Sequence, residues 1–457
     1  MAMPLSFTLD RRSPSSLSEQ VRRSIEAAIL AGQLSPGARL PSWRALASQL
    51  GVARGTVRVA YERLADAQLI VSAGPAGTRV SEHLPRAPRA AALPAPDDPF
   101  LAIGLTSPSA PPRLFQLGVP AEDAFPVKTW SRILVRAART AALAPLSYPD
   151  PRGEPILRRQ IAAYLAVSRA FACSEEQIFI TNGFTGALGL VIRALSLEGK
   201  SGWVENPGYP LARTALNLSG VKAVAVPVDS EGLDVAAGIS LAPDAAFAVV
   251  TPGQQAPLGM TMSLHRRRAL IDWAEAANAF IIEDDYLGEL QLKGRAAPAM
   301  ASLDTDGRIL HIGTFSKTIS PALRLGFVVV PAGLVPRFLR VTACLAPAPA
   351  ATTQMAVAAF IADGHLLRHL RKARRLYAER RDILKSLLGS SASEQMAGGL
   401  ALLLPIPDDA PDTEIARQAA EAGLAPSPLS RWYAGPDGGT SLPPARYGDH
   451  LKWAMST

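Results

Sequence analysis

Between Gly313 and Phe327 the chain reads GTFSKTISPALRLGF. One lysine, Lys317, stands among the small hydroxyl residues Thr314 and Ser316, and Arg324 follows seven positions on. A lysine amine forms a Schiff base with an aldehyde cofactor, and hydroxyls beside a guanidinium suit a phosphate dianion carried by it. A solvated surface lysine reads the same way when taken alone. The rest of the chain decides between the two.

Four further places supply what an aldehyde cofactor with a phosphate and a planar ring would need, as pyridoxal 5'-phosphate does. After an apolar run at 178–181 comes Asn182-Gly183-Phe184-Thr185-Gly186, then a helical pattern over 187–195. Free backbone N–H groups at a glycine-rich helix start cradle phosphate. Glu205-Asn206-Pro207-Gly208-Tyr209 sets an aromatic ring beyond a strand, where it can stack on a planar ring or simply pack. The run at 280–286, FIIEDDY, ends a buried strand with three acids and a phenol. A carboxylate against a pyridine nitrogen keeps that nitrogen protonated, and a phenol can hold the ring's 3′ oxygen. A helix cap or a metal site is the other reading of such acids, and the absence of a nearby His or Cys disfavours metal. Finally, Tyr148-Pro149-Asp150-Pro151-Arg152-Gly153 precedes a strong helix over 156–168, a loop able to reach across a dimer.

Short apolar strands must carry these groups. The candidates lie at 178–181, 202–205, 223–228, 246–251, 280–283, 309–313 and 326–330, alternating with helices. Near-continuous apolar strands suit a buried, mainly parallel sheet, an α/β architecture with function where strands end.

The first eighty residues differ. They hold ten arginines, no lysine and five acids, a net of +5, which leaves +3 for the remainder of a chain whose total is +8. Apolar positions Leu17, Val21, Ile25, Ala28 and Ile29 mark a helix with arginines on its other face. Ser42 is placed to cap a helix over 43–50, Gly51 breaks it, and a second helix runs over 54–67 with Val57, Tyr61 and Leu64 inward. That is a helix-turn-helix, and 69–71 and 78–80 around Gly74-Pro75-Ala76-Gly77 read as a two-stranded wing. Arg54, Thr56 and Arg58 near the second helix's start would reach bases or phosphates in a major groove. An arginine-rich solvated face is the bland alternative.

Residues 81–112 are rich in Pro and Ala and hold no period, so they read as a semi-stiff linker between a DNA-binding domain at 1–80 and a large domain at 113–457. At 457 residues the chain exceeds one ordinary core. Cys173 and Cys344 stand far apart without metal-ligand spacing, which suits reduced thiols in the cytoplasm. No signal-peptide pattern opens the chain. The apolar run at 325–335 is broken by Pro331 and Gly333 and is too short to span a bilayer.

The stretch LSPGARLPSWRALASQLGVARGTVRVAYERL with the terminal AGTRV resembles the winged helix of the GntR superfamily. That resemblance implies DNA contacts from Arg44, Arg54, Thr56 and Arg58, with the wing at Gly77 near the minor groove; Trp43 departs from the small or acidic residue usual there. The large domain resembles fold-type I aminotransferases, and the whole chain resembles the MocR-type (GabR-like) regulators that fuse the two. The match runs through LFQLGVPAEDAFPVKTW, YPDPRGEPILRRQIAAYLAVSRA, ITNGFTGALGLVIRAL, ENPGYP, EDDYLGEL and GTFSKTISPALRLGF. It implies that Lys317 is the Schiff-base lysine of bound pyridoxal phosphate, that Asp284 pairs with the ring nitrogen, that Tyr209 stacks on the ring and that Tyr286 holds its 3′ oxygen. Phosphate would fall to Phe184, Thr185, Thr314, Ser316 and Arg324, and Tyr148 would come from the other subunit of a domain-swapped homodimer.

The chain also departs from that pattern. Where aminotransferases place an Asn for the 3′ oxygen, and MocR-type proteins often read HQ-x-P, this chain has Gln254-Gln255-Ala256-Pro257. Ala256 cannot make that bond, and Gln254 stands for the histidine. No clean match supplies the usual arginine for a substrate carboxylate; Arg446, Lys452 and Arg431 are the candidates. The expected function is therefore a cytoplasmic, nucleoid-associated DNA-binding regulator that senses an amine, an amino acid or pyridoxal phosphate itself through a Lys317 aldimine. The alternative is a working aminotransferase with an accessory DNA-binding head.

Overall fold

The computed structural model describes residues 9–11, 13–72, 77–82, 113–143, 148–292, 296–388, 401–406, 411–435 and 450–454. Residues 83–112 of the expected linker and 73–76 of the wing lie outside the described residues. The chain divides into two compact units, Met1–Asp97 and Asp98–Thr457.

In the first unit, α1 (Leu17–Leu30), α2 (Trp43–Leu50) and α3 (Arg54–Asp66) precede an antiparallel ribbon of β1 (Ile70–Ser72) and β2 (Thr78–Val80). The caps expected from sequence form: the Ser42 hydroxyl accepts from the Ala45 N–H, and Gly51 closes α2 at φ 62°. Such a left-handed residue is cheap only for glycine. Val21, Ile25, Leu46, Val57, Ala60 and Leu64 form a dry centre, each 2 % exposed or less. Tyr61 lies on the inner face too, its hydroxyl donating to the Pro41 carbonyl at 2.8 Å.

The second unit is built on an eight-stranded sheet in the order β3-β10-β9-β8-β7-β4-β5-β6. Its strands are β3 (Ile178–Thr181), β4 (Ser201–Asn206), β5 (Lys222–Asp229), β6 (Gly232–Leu233), β7 (Phe247–Val250), β8 (Phe280–Asp285), β9 (Ile309–Thr314) and β10 (Gly326–Val329). Neighbours β5-β4-β7-β8-β9 pair in parallel, whereas β10 runs antiparallel to both β9 and β3. Six strands therefore present their carboxyl ends at one edge, and β10 begins at that edge. All seven strands expected from sequence exist, with no end displaced by more than two residues. The short β6 gives no period to read.

Helices cover both faces of this sheet, as parallel strands require. In chain order they are α4 (Val127–Ala142), α5 (Pro155–Ser168), α6 (Gly183–Leu195), α7 (Pro210–Leu218), α8 (Val235–Leu241), α9 (Leu264–Ala276), α10 (Val335–Leu345), α11 (Ala351–Ala362) and α12 (His365–Leu388). Against one face pack α6, α7 and α10, meeting Phe179, Val249, Ile282, Leu310, Ile312 and Val328. The opposite face, with Ile281, Ile309, Phe327 and Val329, meets the remaining helices. A separate three-stranded antiparallel sheet, β11 (Ala401–Pro405), β12 (Ser427–Pro428) and β13 (His450–Ala454), carries α13 (Asp412–Glu421). The sequence reading had no elements there.

One core contact is specific enough to test. Trp203 on β4 is fully buried, stacks on Trp273 of α9 at 3.7 Å between ring centroids, and donates its indole N–H to the Ala242 carbonyl. Trp203→Ala is expected to lower stability in urea titrations of the full chain by ~3–5 kcal/mol. A loss below about 1 kcal/mol would mean that neighbouring side chains refill the site.

Candidate functional site

The carboxyl ends of the parallel strands bring one set of side chains together. The turn after β9 is held by Thr314, whose Oγ1 accepts from the Ser316 N–H at 3.2 Å and lies 3.0 Å from the Ser316 hydroxyl. From this turn the Lys317 side chain extends until its Nζ donates to the Gly118 carbonyl at 2.9 Å. Gly118 has φ 83°, and a Cβ there would lie 2.5 Å from Nζ. Any larger residue would push the amine aside. Burial holds the Lys317 amine below its ordinary pKa, and the carboxylate of Asp284 partly opposes this.

Three acids end β8, and alternation along the strand separates them. Asp284 shares the face of Ile282, whereas Glu283 and Asp285 face the opposite side. Glu283 accepts from the Met300 and Ala301 N–H groups and pairs with His311 at 2.9 Å. Asp285 pairs with the fully buried Arg169 at 2.7 Å. Both are therefore structural. Asp284, 6 % exposed, keeps an Oδ1 that is buried and has no hydrogen-bond partner. Its pKa is pushed well above the carboxylate range, first by burial and then by repulsion from Asp285, Glu205 and Glu283. A bound cation is what this atom lacks.

The aromatic groups surround that acid. Tyr209, following β4, has its phenol pushed up to about 12 by burial and by Asp284. Its ring meets Phe184 edge-on at 5.9 Å and Trp432 at 6.2 Å. Tyr286 is likewise raised by burial, Asp284 and Glu205. Beside them an apolar group forms from Ala256, Leu403, Leu429 and Trp432, joined by Leu117 and Leu258. Trp432 is fastened there: its carbonyl accepts from the Gly208 N–H and from Arg213.

At the other end a polar cup opens. The Arg324 Nη2 donates to the Thr185 hydroxyl at 3.1 Å, next to the first turn of α6. Arg324 itself sits at φ 48°, a left-handed conformation that costs a non-glycine residue roughly 1 kcal/mol or more. Its guanidinium reaches the helix start through that bond to Thr185. Phe184, Thr185, Thr314, Ser316, Lys317 and Arg324 thus line the edge where β3, β9 and β10 meet, with Asp284 and Tyr209 in electrostatic contact with Lys317 and Arg324 respectively. An aldehyde-bearing pyridine with a phosphate fits this donor set: an amine, a buried acid lacking a partner, stacking aromatics and a cationic hydroxyl-lined cup.

Other predicted residues fall elsewhere. Tyr148 is fully exposed and meets nothing in its own chain's site. Two residues on, Asp150 braces the chain by accepting from the Arg152 N–H and from both the Arg152 and Arg158 guanidiniums. Gln255 is structural, its amide donating to Glu205 and to the Pro207 and Ala256 carbonyls. Gln254 is buried, and its Oε1 has no partner. Arg446 lies outside the described residues, as does the Lys452 side chain on β13; Arg431 is half-buried in the turn at Leu429–Trp432. Sequence reasoning missed Gly118 and Glu205. The glycine within the LFQLGVP motif was the available signal for the first. Nothing in the sequence pairs Glu205 with Thr251 and Gln255.

In the first unit, Arg54 and Arg58 are exposed at the start of α3, Thr56 is half-buried, and Arg58 pairs with Glu62 at 3.4 Å. The Arg44 guanidinium stacks over the Trp43 ring at 4.8 Å, so the unusual tryptophan acts as a shelf for it. Gly77, at φ 87°, lies against the Arg39 side chain just before β2.

Two family descriptions match the chain: "Bacterial regulatory proteins, gntR family" over residues 17–80 and "Aminotransferase class I and II" over residues 125–428. The chain is 36 % identical to the probable rhizopine catabolism regulatory protein MocR of Rhizobium meliloti, covering 93 % of this chain and 89 % of that one. It is 33 % identical to the pyridoxine biosynthesis transcriptional regulator PdxR of Corynebacterium glutamicum, over 100 % and 98 %. Among solved structures it is similar to an archaeal alanine:glyoxylate aminotransferase (TM-score 0.68, 24 % identity, 78 % and 89 % covered). It is also similar to the Pyrococcus horikoshii kynurenine aminotransferase (TM-score 0.67, 23 % identity, 79 % and 90 % covered). The fold of the second unit is the aminotransferase fold, which implies pyridoxal phosphate.

Glu205 gives the site a pH signature. Burial pushes its carboxyl up to about 7 from 4.5, although the Thr251 N–H and hydroxyl and the Gln255 amide partly offset this. The folded state thus holds this proton more tightly than the unfolded chain does. The stabilisation is complete below pH 4.5 and is lost as pH rises through about 7. The stability of the natural chain relative to Glu205→Gln is expected to fall by ~3 kcal/mol across that window. Parallel pH–stability curves for the two proteins would contradict the assignment.

Proposed function

The chain belongs to the MocR-type regulators, a GntR-family winged helix followed by an aminotransferase class I and II domain, and on that premise we propose that it senses a small molecule through pyridoxal phosphate held at Lys317. The observation that carries this reading is the buried, partnerless Asp284 Oδ1 in electrostatic contact with the Lys317 amine. When bound, the cofactor supplies an aldehyde for amine chemistry and an electron-withdrawing ring. Asp284 would hold a proton on the ring nitrogen. Tyr209 would stack on the ring and exclude water from one side, and Tyr286 would orient the 3′ oxygen. The backbone of Phe184 and the side chains of Thr185, Thr314, Ser316 and Arg324 would bind the phosphate.

An incoming amine, amino acid or pyridoxal phosphate itself would then change what the Lys317 amine is bonded to, and with it the charge beside Asp284. Regulation requires differential binding of two chain conformations. A DNA-binding domain at 1–80, a linker at 81–112 and an effector domain at 113–457 give that change a mechanical output. In a domain-swapped homodimer acting at the bacterial nucleoid, Tyr148 on its braced loop would complete the site of the other protomer. Arg44, Arg54, Thr56, Arg58 and Gly77 would meet operator DNA, phosphates fixing register and base edges giving sequence.

Protein supplied with pyridoxal phosphate is expected to gain a visible absorption band that Lys317→Ala lacks. If the natural chain stays colourless, the cofactor reading fails. Arg54→Ala is expected to weaken operator binding and to lower its log–log salt slope by roughly one; an unchanged slope would remove α3 from the interface. Transamination of an amino-acid panel at ~1 s⁻¹ or faster would instead favour a working aminotransferase.

A further inference from the structure

Charge in the second unit is strongly segregated. Residues 81–457 carry a net of only +3, yet α4 holds four cations and no acid, and α12 holds eight cations and two acids. Those two helices thus contribute +10, which leaves −7 for the rest of that span. Both helices turn an apolar face to the core: Trp130, Ile133 and Ala137 on α4, and Leu366, Leu370, Ala373 and Tyr377 on α12. At 3.6 residues per turn, Lys128, Arg132, Arg136 and Arg139 share one flank of α4, and Arg368, Arg371, Lys372 and Arg375 share the outer flank of α12.

Two acids join these flanks into one surface. Asp363, just before α12, pairs with Arg136 at 2.8 Å, and its carbonyl accepts from Arg368. Asp123, just before α4, pairs with Arg380, and its carbonyl accepts from Lys372 at 2.8 Å. These contacts use up the cations nearest the seam. Lys128, Arg132, Arg139 and Arg371 are exposed and make no hydrogen bond or ion pair with any described residue. A helix face of unpaired cations repels itself and gains nothing for the fold. An external polyanion would complement it.

We infer that this α4–α12 surface is a second contact for the phosphate backbone of duplex DNA, additional to the winged helix. A duplex presents one negative charge per about 1.7 Å of axis, and Lys128 to Arg139 spans ~16 Å of helix. The surface holds guanidiniums and ammoniums, which pair with phosphates of any sequence. Duplex is favoured over other polyanions because the same chain bears a GntR-family DNA-binding unit, and tethering raises the local concentration of DNA flanking its site.

The test uses the full chain with pyridoxal phosphate and a random-sequence duplex of about 60 base pairs, titrated over a range of NaCl concentrations. Arg132→Gln/Arg139→Gln/Arg371→Gln is expected to reduce the log–log salt slope by about two to three. The charge-preserving Arg132→Lys/Arg139→Lys/Arg371→Lys variant is expected to keep the slope, and serves as the test if the glutamine variant fails to fold. Arg54→Ala should lower the slope further and independently. The proposal is overturned if the glutamine variant folds and keeps the full slope while Arg54→Ala still reduces it. It is equally overturned if the lysine variant loses as much slope as the glutamine variant. Loss of binding to phosphatidylserine vesicles with an unchanged duplex slope would assign the surface to membranes instead.

Discussion

A carboxylate sealed from water is costly unless a cation meets it, and Asp284 is such a carboxylate. Burial and three neighbouring acids raise its pKa, and the Lys317 amine opposes them. Much of the second unit serves to keep it there. The parallel strands β7 and β9 flank β8 and fix its end; Glu283 and Asp285 are neutralised on the far face by His311 and Arg169. On the site face Asp284 keeps a buried Oδ1 without a partner among the described residues. A protonated pyridine nitrogen is a cation of the right kind for it.

The sheet topology explains why residues so far apart in sequence converge. Six strands end at one edge, and β10, inserted antiparallel between β3 and β9, begins there. Gly326 at the start of β10 lies so close to Gly183 and the Gly313 carbonyl that a Cβ would sit 2.9–3.1 Å from their backbones. That approach brings Arg324 against the first turn of α6. On the far side of the sheet Glu283 pairs with His311 and Asp285 with Arg169.

Local signals made most of the fold legible. Near-continuous apolar runs located seven of the eight large-sheet strands, since a strand buried on both faces has no polar alternation to blur its limits. Ser42 and Gly51 fixed the helix-turn-helix, because capping chemistry and a left-handed turn are properties of single residues. The three-stranded sheet escaped notice: β12 is two residues long, and β13 pairs with β11 from far along the chain. Such non-local pairs leave no periodic trace.

The sequence by itself determined the kinds of chemistry present: a lysine among hydroxyls, an acidic strand end, a glycine-rich helix start and an arginine-bearing winged helix. It did so because each is a short stretch whose residue types have few other uses in combination. The resemblance singled out Asp284 among the three acids. Its burial against the Lys317 amine, with Glu283 and Asp285 paired on the other face, was decided only by the tertiary structure. Only it brought the Gly118 carbonyl, 199 residues away in sequence, to the amine, and buried Glu205 beside Thr251 and Gln255. The physical reason is common to all three. Desolvation and electrostatic coupling depend on distance in space, and the sheet rather than the chain sets that distance.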